Sequence, residues 1–269
     1  KHKVRPEEIL VITFTKYAAW EMKNRTRSIC GPSSYAVTFG TFHGIYYGIL
    51  KWAYRLNQSN LLSDEEKYRI LREILPGIDW DQEPEADEEK DYLQELAIEI
   101  GNVKNNCMDI EEYEPVKYTT EKFRKLYRTY EETKKKYRKI DFEDMLIQCR
   151  DLFMKRPDIL KKWQEKFQYI LVDEFQDVNQ AQYDVVRMLA APQDNLFVVG
   201  DDDQSVYGFR GAKPGIMKEF MKDYPKARQI LLDVNYRSSG YIVKGALRVI
   251  GNNKIRFEKK IEAFQKADE

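Results

Sequence analysis

Two short apolar runs that end abruptly in acids constrain this chain more than any other feature. The first is Tyr169-Ile-Leu-Val-Asp173-Glu174-Phe-Gln176-Asp177, and the second is Leu196-Phe-Val-Val-Gly200-Asp201-Asp202-Asp203-Gln204. Runs this apolar suit parallel strands buried on both faces. In open α/β sheets, ligands bind beyond the carboxyl ends of such strands. Acids at that place can hold a divalent cation and align a water, as nucleoside triphosphate hydrolysis requires.

The rest of the chain fits around such a sheet. Strands are predicted at Ile9–Thr15, Ala36–Phe39, Tyr169–Asp173, Leu196–Gly200 and Gln229–Val234. Helical patterns follow at Ala18–Ile29, Asn179–Ala190 with Asn179 as N-cap, and Ser238–Ile250. This alternation predicts an α/β fold, a largely parallel sheet with helices on both faces. The stretch from Tyr47 to Lys139 has no strand pattern. Its helical pieces are Ser63–Leu75, opened by a Ser63/Glu66 capping box, then Asp91–Asn105 and Thr120–Arg138. An all-helical domain, residues 47–139, is therefore expected as an insertion into a sheet domain made of residues 1–46 and 140–269. Asp141–Met154 and Pro157–Phe167 lead back to the sheet.

Charge balance names no partner, since 45 Lys+Arg face 45 Asp+Glu. The charge is segregated, however. Residues 79–114 hold 14 acids and 2 bases, and residues 115–139 hold 10 bases and 3 acids. That asymmetry fits one basic face, and it fits a solvated helix surface equally well. Lys134-Lys135-Lys136 is read as such a solvated face. Three dispersed cysteines and two histidines argue against a zinc site and for a reducing, intracellular setting. No apolar stretch reaches the roughly 18–20 residues that cross a bilayer, so no membrane association is expected.

Six ordered segments carry a family resemblance. Ile12-Thr-Phe-Thr15 with Ala18-Ala19-Trp-Glu21-Met22 resembles motif Ia of the UvrD/PcrA/Rep-like superfamily 1 DNA helicases. Gly40-Thr41-Phe42-His43 resembles their motif Ib, and Asp141-Phe142-Glu143-Asp144 the acidic signature before their Walker B strand. Val172-Asp173-Glu174-Phe175-Gln176-Asp177 resembles motif II, Gly200 to Gly211 motif III, and Asn235-Tyr236-Arg237-Ser238 motif IV. The resemblance implies a RecA-like first motor domain that uses ATP and Mg²⁺ and tracks single-stranded DNA, including single/double-strand junctions, with 3′→5′ polarity. It further implies a cytoplasmic role in DNA repair or replication, beside repair or replication proteins of unknown identity.

Residue roles follow from the same resemblance. Asp173 would hold Mg²⁺ through water, and Glu174 would orient or deprotonate the attacking water. Gln204 would sense the γ-phosphate, because an amide both donates and accepts hydrogen bonds. Arg237 would grip the γ-phosphate with its planar fork, and Tyr236 would stack on adenine. Phe14, Tyr207 and Phe209 would stack on bases, without sequence preference. Thr41, His43 and Arg210 would contact the DNA backbone or neighbouring groups. Some of these residues also have a plainer reading: strand-end acids at Asp173 and Glu174, a loop-capping amide at Gln204, core aromatics at Phe14 and Tyr236.

The sequence departs from the family pattern in places. Lys16-Tyr17 stands where Asn-Lys is usual, Phe209 replaces a tryptophan, and Gly208 replaces an often basic residue. No Gly-x-x-x-x-Gly-Lys-[Ser/Thr] and no Gly-Lys dipeptide occurs. Family members carry that P-loop upstream of motif Ia and a second motor domain downstream of motif IV. The expectation is therefore that this chain is a piece of a longer helicase and turns over no ATP efficiently by itself. Two competing readings are a non-catalytic DNA-binding or interaction module descended from helicases, and the helicase part of a helicase–nuclease.

Overall fold

The computed structural model describes residues 4–78, 88–205, 211–213, 215–253 and 256–265. Four strands form one parallel sheet: β1 (Ile9–Thr13), β2 (Thr38–Thr41), β3 (Tyr169–Val172) and β4 (Leu196–Val198), in the order β2-β1-β3-β4. Parallel pairing requires crossovers. Helix α1 (Lys16–Cys30) joins β1 to β2, and every other crossover also contains a helix. In register, Ile12 lies between Gly40 and Val172, so β1 is central. Leu10, Ile12, Ile170 and Val172 are fully buried, as apolar parallel strands demand. This is the RecA-like α/β arrangement expected from the sequence.

The helix starts follow from local chemistry. Thr15 caps α1, its hydroxyl accepting from Ala18 N at 3.0 Å. Thr41 does the same for α2 (Phe42–Tyr54), accepting from Gly44 N at 3.1 Å. The Ser63/Glu66 capping box opens α3 (Asp64–Ile74) as predicted. Next come α4 (Glu89–Asn105), α5 (Thr120–Lys136), α6 (Phe142–Lys155) and α7 (Pro157–Lys166). Asn179, the predicted N-cap, closes a capping box with Gln182 at α8 (Gln180–Ala190). The last two helices are α9 (Ile216–Asp223) and α10 (Gly240–Ile250). No helix among the described residues is long and apolar enough to cross a membrane.

Two apolar cores result. One joins the sheet to α2, α6, α7, α8 and α9 through residues such as Phe42, Tyr46, Leu146, Val186 and Phe220. The other lies within residues 62–130, where Leu71, Leu93, Leu96, Phe123, Leu126 and Tyr130 are buried together.

Three expectations are corrected. The strand predicted at Gln229–Val234 does not join the main sheet; strand β5 runs instead from Val234 to Ser239 and pairs with β6 (Glu262–Gln265) in a separate two-stranded sheet. An apolar run signals strand propensity without naming a partner, and Ile230 and Leu232 remain 65% and 81% exposed. Ala36 ends a 3₁₀ turn, so β2 starts only at Thr38. Lys134 is not on a solvated face but 1% exposed. It lies at four-residue spacing from Tyr130 and Leu126, on the inward side of α5.

Candidate active site

β1 and β3 run side by side, so their carboxyl ends open at the same sheet edge. Asp173 N donates to Ile12 O at 2.9 Å and extends that ladder by one residue. The chain then turns through Glu174 into one 3₁₀ turn, Phe175–Asp177. Glu174 is left-handed (φ 52°, ψ 41°). For a residue with a Cβ this costs about 1–3 kcal/mol and persists only where the surroundings enforce it. Here Phe175 N donates to Val199 O at 2.8 Å, and Asp177 N donates back to Glu174 O at 3.0 Å. The Phe175 ring is buried edge-on against Tyr183 and Phe220.

Gln176 ties the two acid-bearing loops together. Its Nε2 donates to Glu174 Oε2 at 2.8 Å, and its Oε1 accepts from Asp201 N at 3.0 Å. Ser205 Oγ donates to its carbonyl at 3.2 Å. A side chain at Gly200 would put Cβ 2.7 Å from Gln176 Oε1 and 3.1 Å from the backbone N of Gln176 and Phe175, so the Gln176 amide would have to shift. Gln176 is absent from the residues picked out by sequence. The available signal was an amide among acids, a group able to donate and accept at once.

Two groups of three close carboxylates are found among the described residues, Glu131/Asp141/Asp144 and Asp201/Asp202/Asp203, and cations hold both; the acids at the β3 end differ. Asp141 and Asp144 hold the ammonium groups of Lys104 and Lys134. Asp203 holds Arg256 in a fork at 2.6 and 2.9 Å, and Lys259 bridges Asp201, Asp202 and Asp203. Phe257 N adds a bond to Asp202. By contrast, Asp173, Glu174 and Asp177 make no ion pair with any described residue. Burial, then the Glu174 charge, raises the Asp173 carboxyl above its ordinary value. The same two causes push Asp177 up to about 6. Asp177 Oδ1 is buried without a hydrogen-bond partner. Uncompensated hard oxygen donors at a strand end fit Mg²⁺, which binds through one or two carboxylates and keeps much of its water.

Gln204 sits on the turn Asp202–Gln204 and donates to Asp201 Oδ2 at 2.7 Å. Burial works to raise Asp201, but Lys259 and Gln204 outweigh it and hold the carboxyl low. The structure thus links Glu174 and Gln204 through Gln176 and Asp201, with Asp173 beside Glu174 in the chain. Tyr236 and Arg237 lie on β5, and no hydrogen bond or ion pair among the described residues joins them to these acids. Both are exposed, and Tyr236 leans on Phe264 at 4.9 Å. Phe14 packs edge-on against Phe42 at 5.3 Å, at the border of the first core. Thr41 spends its hydroxyl on the α2 cap. His43 stands edge-on to Phe142, and burial lowers its pKa against the opposing Glu143 charge. Tyr207, Phe209 and Arg210 lie outside the described residues.

Comparison with known proteins agrees with this frame. The model of the UvrD/REP helicase N-terminal domain matches residues 1–225. The chain is similar to the ATP-dependent DNA helicase PcrA of Bacillus subtilis, 38% identical over 267 residues, covering 97% of this chain and 35% of that protein. It is similar to DNA helicase II of Escherichia coli, 34% identical over 266 residues, covering 95% and 35%. It is also similar to YjcD of Bacillus subtilis, 40% identical over 271 residues, covering 97% and 34%. The chain spans about a third of the length of these curated relatives. With the matched model covering most of its length, the chain belongs to the UvrD/REP helicase N-terminal domain family.

Proposed function

We propose that the protein containing this chain hydrolyses ATP to move along single-stranded DNA and separate duplexes at single/double-strand junctions, with 3′→5′ polarity. The observation that carries this reading is the uncompensated carboxylate set at the β3 end, beside two acid clusters already neutralised by lysine and arginine. Asp173 would hold Mg²⁺, which would supply charge neutralisation for the phosphates. Glu174 orients the attacking water and takes its proton, while Gln176 fixes the Glu174 carboxylate. Gln204 contacts the terminal phosphate, Arg237 adds its fork, and Tyr236 stacks on adenine. Phe14, Tyr207 and Phe209 stack on unpaired bases, and Thr41, His43 and Arg210 meet the DNA backbone. With its pKa lowered, His43 acts there as a neutral hydrogen-bonding ring.

The division into a motor domain (1–46 and 140–269) and a helical insertion (47–139) belongs to the same proposal. Two separate cores support a division of this kind, but Ile49 and Leu50 of α2 belong to the first core, which favours a boundary after α2 over one at residue 47. A cytoplasmic role in DNA repair or replication, alongside protein partners of those pathways, is supported by the DNA helicases to which the chain is similar. Strand displacement by the full-length protein tests the reading. A duplex with a 3′ single-stranded tail should be opened with ATP and Mg²⁺, and one with only a 5′ tail should stay closed. Equal opening of both would refute the polarity, and opening of neither would refute the helicase reading.

A further inference from the structure

Helix α4 ends against Asn179 and Gly211. Its final turn sets Lys104 and Asn105 side by side, both buried. Lys104 Nζ reaches Asp141 at 2.9 Å, Asp144 at 2.7 Å and Glu131 at 2.6 Å. Asn105 contacts different elements. Its Oδ1 accepts from Asn179 Nδ2 at 3.0 Å, and Asn179 is also buried. Asn179 caps α8 and follows closely on the turn that carries Glu174 and Asp177.

Gly211 covers another side of Asn105. Its φ is +80°, and a Cβ there would lie 2.8 Å from Asn105 Cβ and 3.0 Å from its Nδ2. Gly211 ends the segment that starts at Asp201 and carries Gln204. Just beyond it, Lys213 N donates to Val178 O at 3.2 Å. One side chain therefore touches the cap behind the β3 loop and Gly211, seven residues after Gln204 in sequence. That side chain is carried by a helix whose Leu93, Leu96, Ile100 and Val103 belong to the separate core.

We propose that Asn105 is a positioning residue that fixes the two loops relative to each other and to the helical insertion, and through them couples DNA contact to ATP hydrolysis. This rests on the reading of Glu174 and Gln204 given above. Asn105 touches neither phosphate nor attacking water. Its amide oxygen holds Asn179, and its stem sets the closest approach of Gly211. An apolar side chain of equal size keeps the volume and frees the loops to shift against each other.

The test uses the full-length protein with Asn105→Leu and Asn105→Asp, the latter keeping an acceptor for Asn179. In Asn105→Leu the rate with saturating single-stranded DNA should fall about tenfold, a typical size for site-to-site coupling. The DNA-free rate, the KM for ATP and the DNA affinity should stay close to wild type, while the melting temperature should fall only by the few degrees that one unpaired buried amide, Asn179 Nδ2, costs. Asn105→Asp should recover most of the stimulated rate. Unchanged stimulation in Asn105→Leu would overturn the proposal. An equal loss of DNA-free and stimulated rates, or a lower melting temperature that accounts for the loss, would overturn it in favour of a purely structural role. Equal loss in both variants would overturn the role given to the amide oxygen. If the wild type shows no DNA stimulation, the functional reading fails first and this inference with it.

Discussion

Glu174→Gln in the full-length protein is expected to lower kcat for ATP by about 10²–10⁴-fold, the usual contribution of a positioned acid–base group. Binding of ATP and single-stranded DNA should remain near wild type. The substitution is nearly isosteric, and the amide can still present an oxygen to Gln176 Nε2, now 2.8 Å from the carboxylate. The left-handed backbone at residue 174 is held by Phe175 N–Val199 O and by the buried Phe175 ring, neither of which the change touches. What disappears is the proton acceptor. Single-turnover hydrolysis separates this from a binding defect: the chemical step slows while nucleotide affinity persists. A variant that turns over ATP at the wild-type rate would remove Glu174 from the mechanism.

Asp141→Ala is expected to destabilise the protein by about 3–5 kcal/mol, as removal of one partner from a buried ionic cluster does. Asp141 is 1% exposed. Its Oδ2 accepts from Lys104 at 2.9 Å, Lys134 at 2.6 Å and Tyr130 OH at 3.1 Å, while Oδ1 caps α6 through Asp144 N at 2.8 Å. Without it, two buried ammonium groups share Asp144 and Glu131 alone, and the cap is lost as well. The midpoint of urea unfolding measures the effect. A loss below about 1 kcal/mol, the range of exposed pairs, would contradict the buried network.

The same cluster sets a pH dependence. Burial works to raise Asp141, but Lys104 and Lys134 overcome it and hold the carboxyl well below its ordinary value. A depressed folded value gives stability that is present above the unfolded carboxylate value and is lost as pH falls through the folded one. Lys104 is raised well above its ordinary value, burial being outweighed by Asp141, Asp144 and Glu131. Its contribution is complete below the unfolded lysine value and is lost as pH rises through the folded one. Asp144 works in the opposite sense to Asp141: burial raises it, so its ionisation costs stability as pH rises past the unfolded carboxylate value. Stability should therefore hold between the acid and lysine ranges, and Asp141→Ala should flatten its acid limb.

Local rules made part of this legible in sequence. The capping residues Ser63 and Asn179 act on backbone groups within three residues, so their neighbours reveal them. β3 was legible because an apolar run and a sudden acid pair both belong to one strand and its end. Lys134 was not legible as a buried group. Its burial depends on Asp141 and Asp144 folding back from the next helix, and a lysine run by itself resembles a solvated face. The Gln229–Val234 run showed strand propensity, while pairing depends on which edge is near, and β6 met the chain from Val234 onward. The Asn105–Asn179 bond joins residues 74 apart and has no local signature.

The most direct test of the central claim is the rate of ATP hydrolysis by the full-length protein, with Mg²⁺ present, as single-stranded DNA is titrated in. The rate should rise and saturate with DNA, and collapse when Mg²⁺ is chelated. A rate that ignores DNA, or no hydrolysis under any of these conditions, would contradict an ATP-driven DNA motor built on the β3 acids.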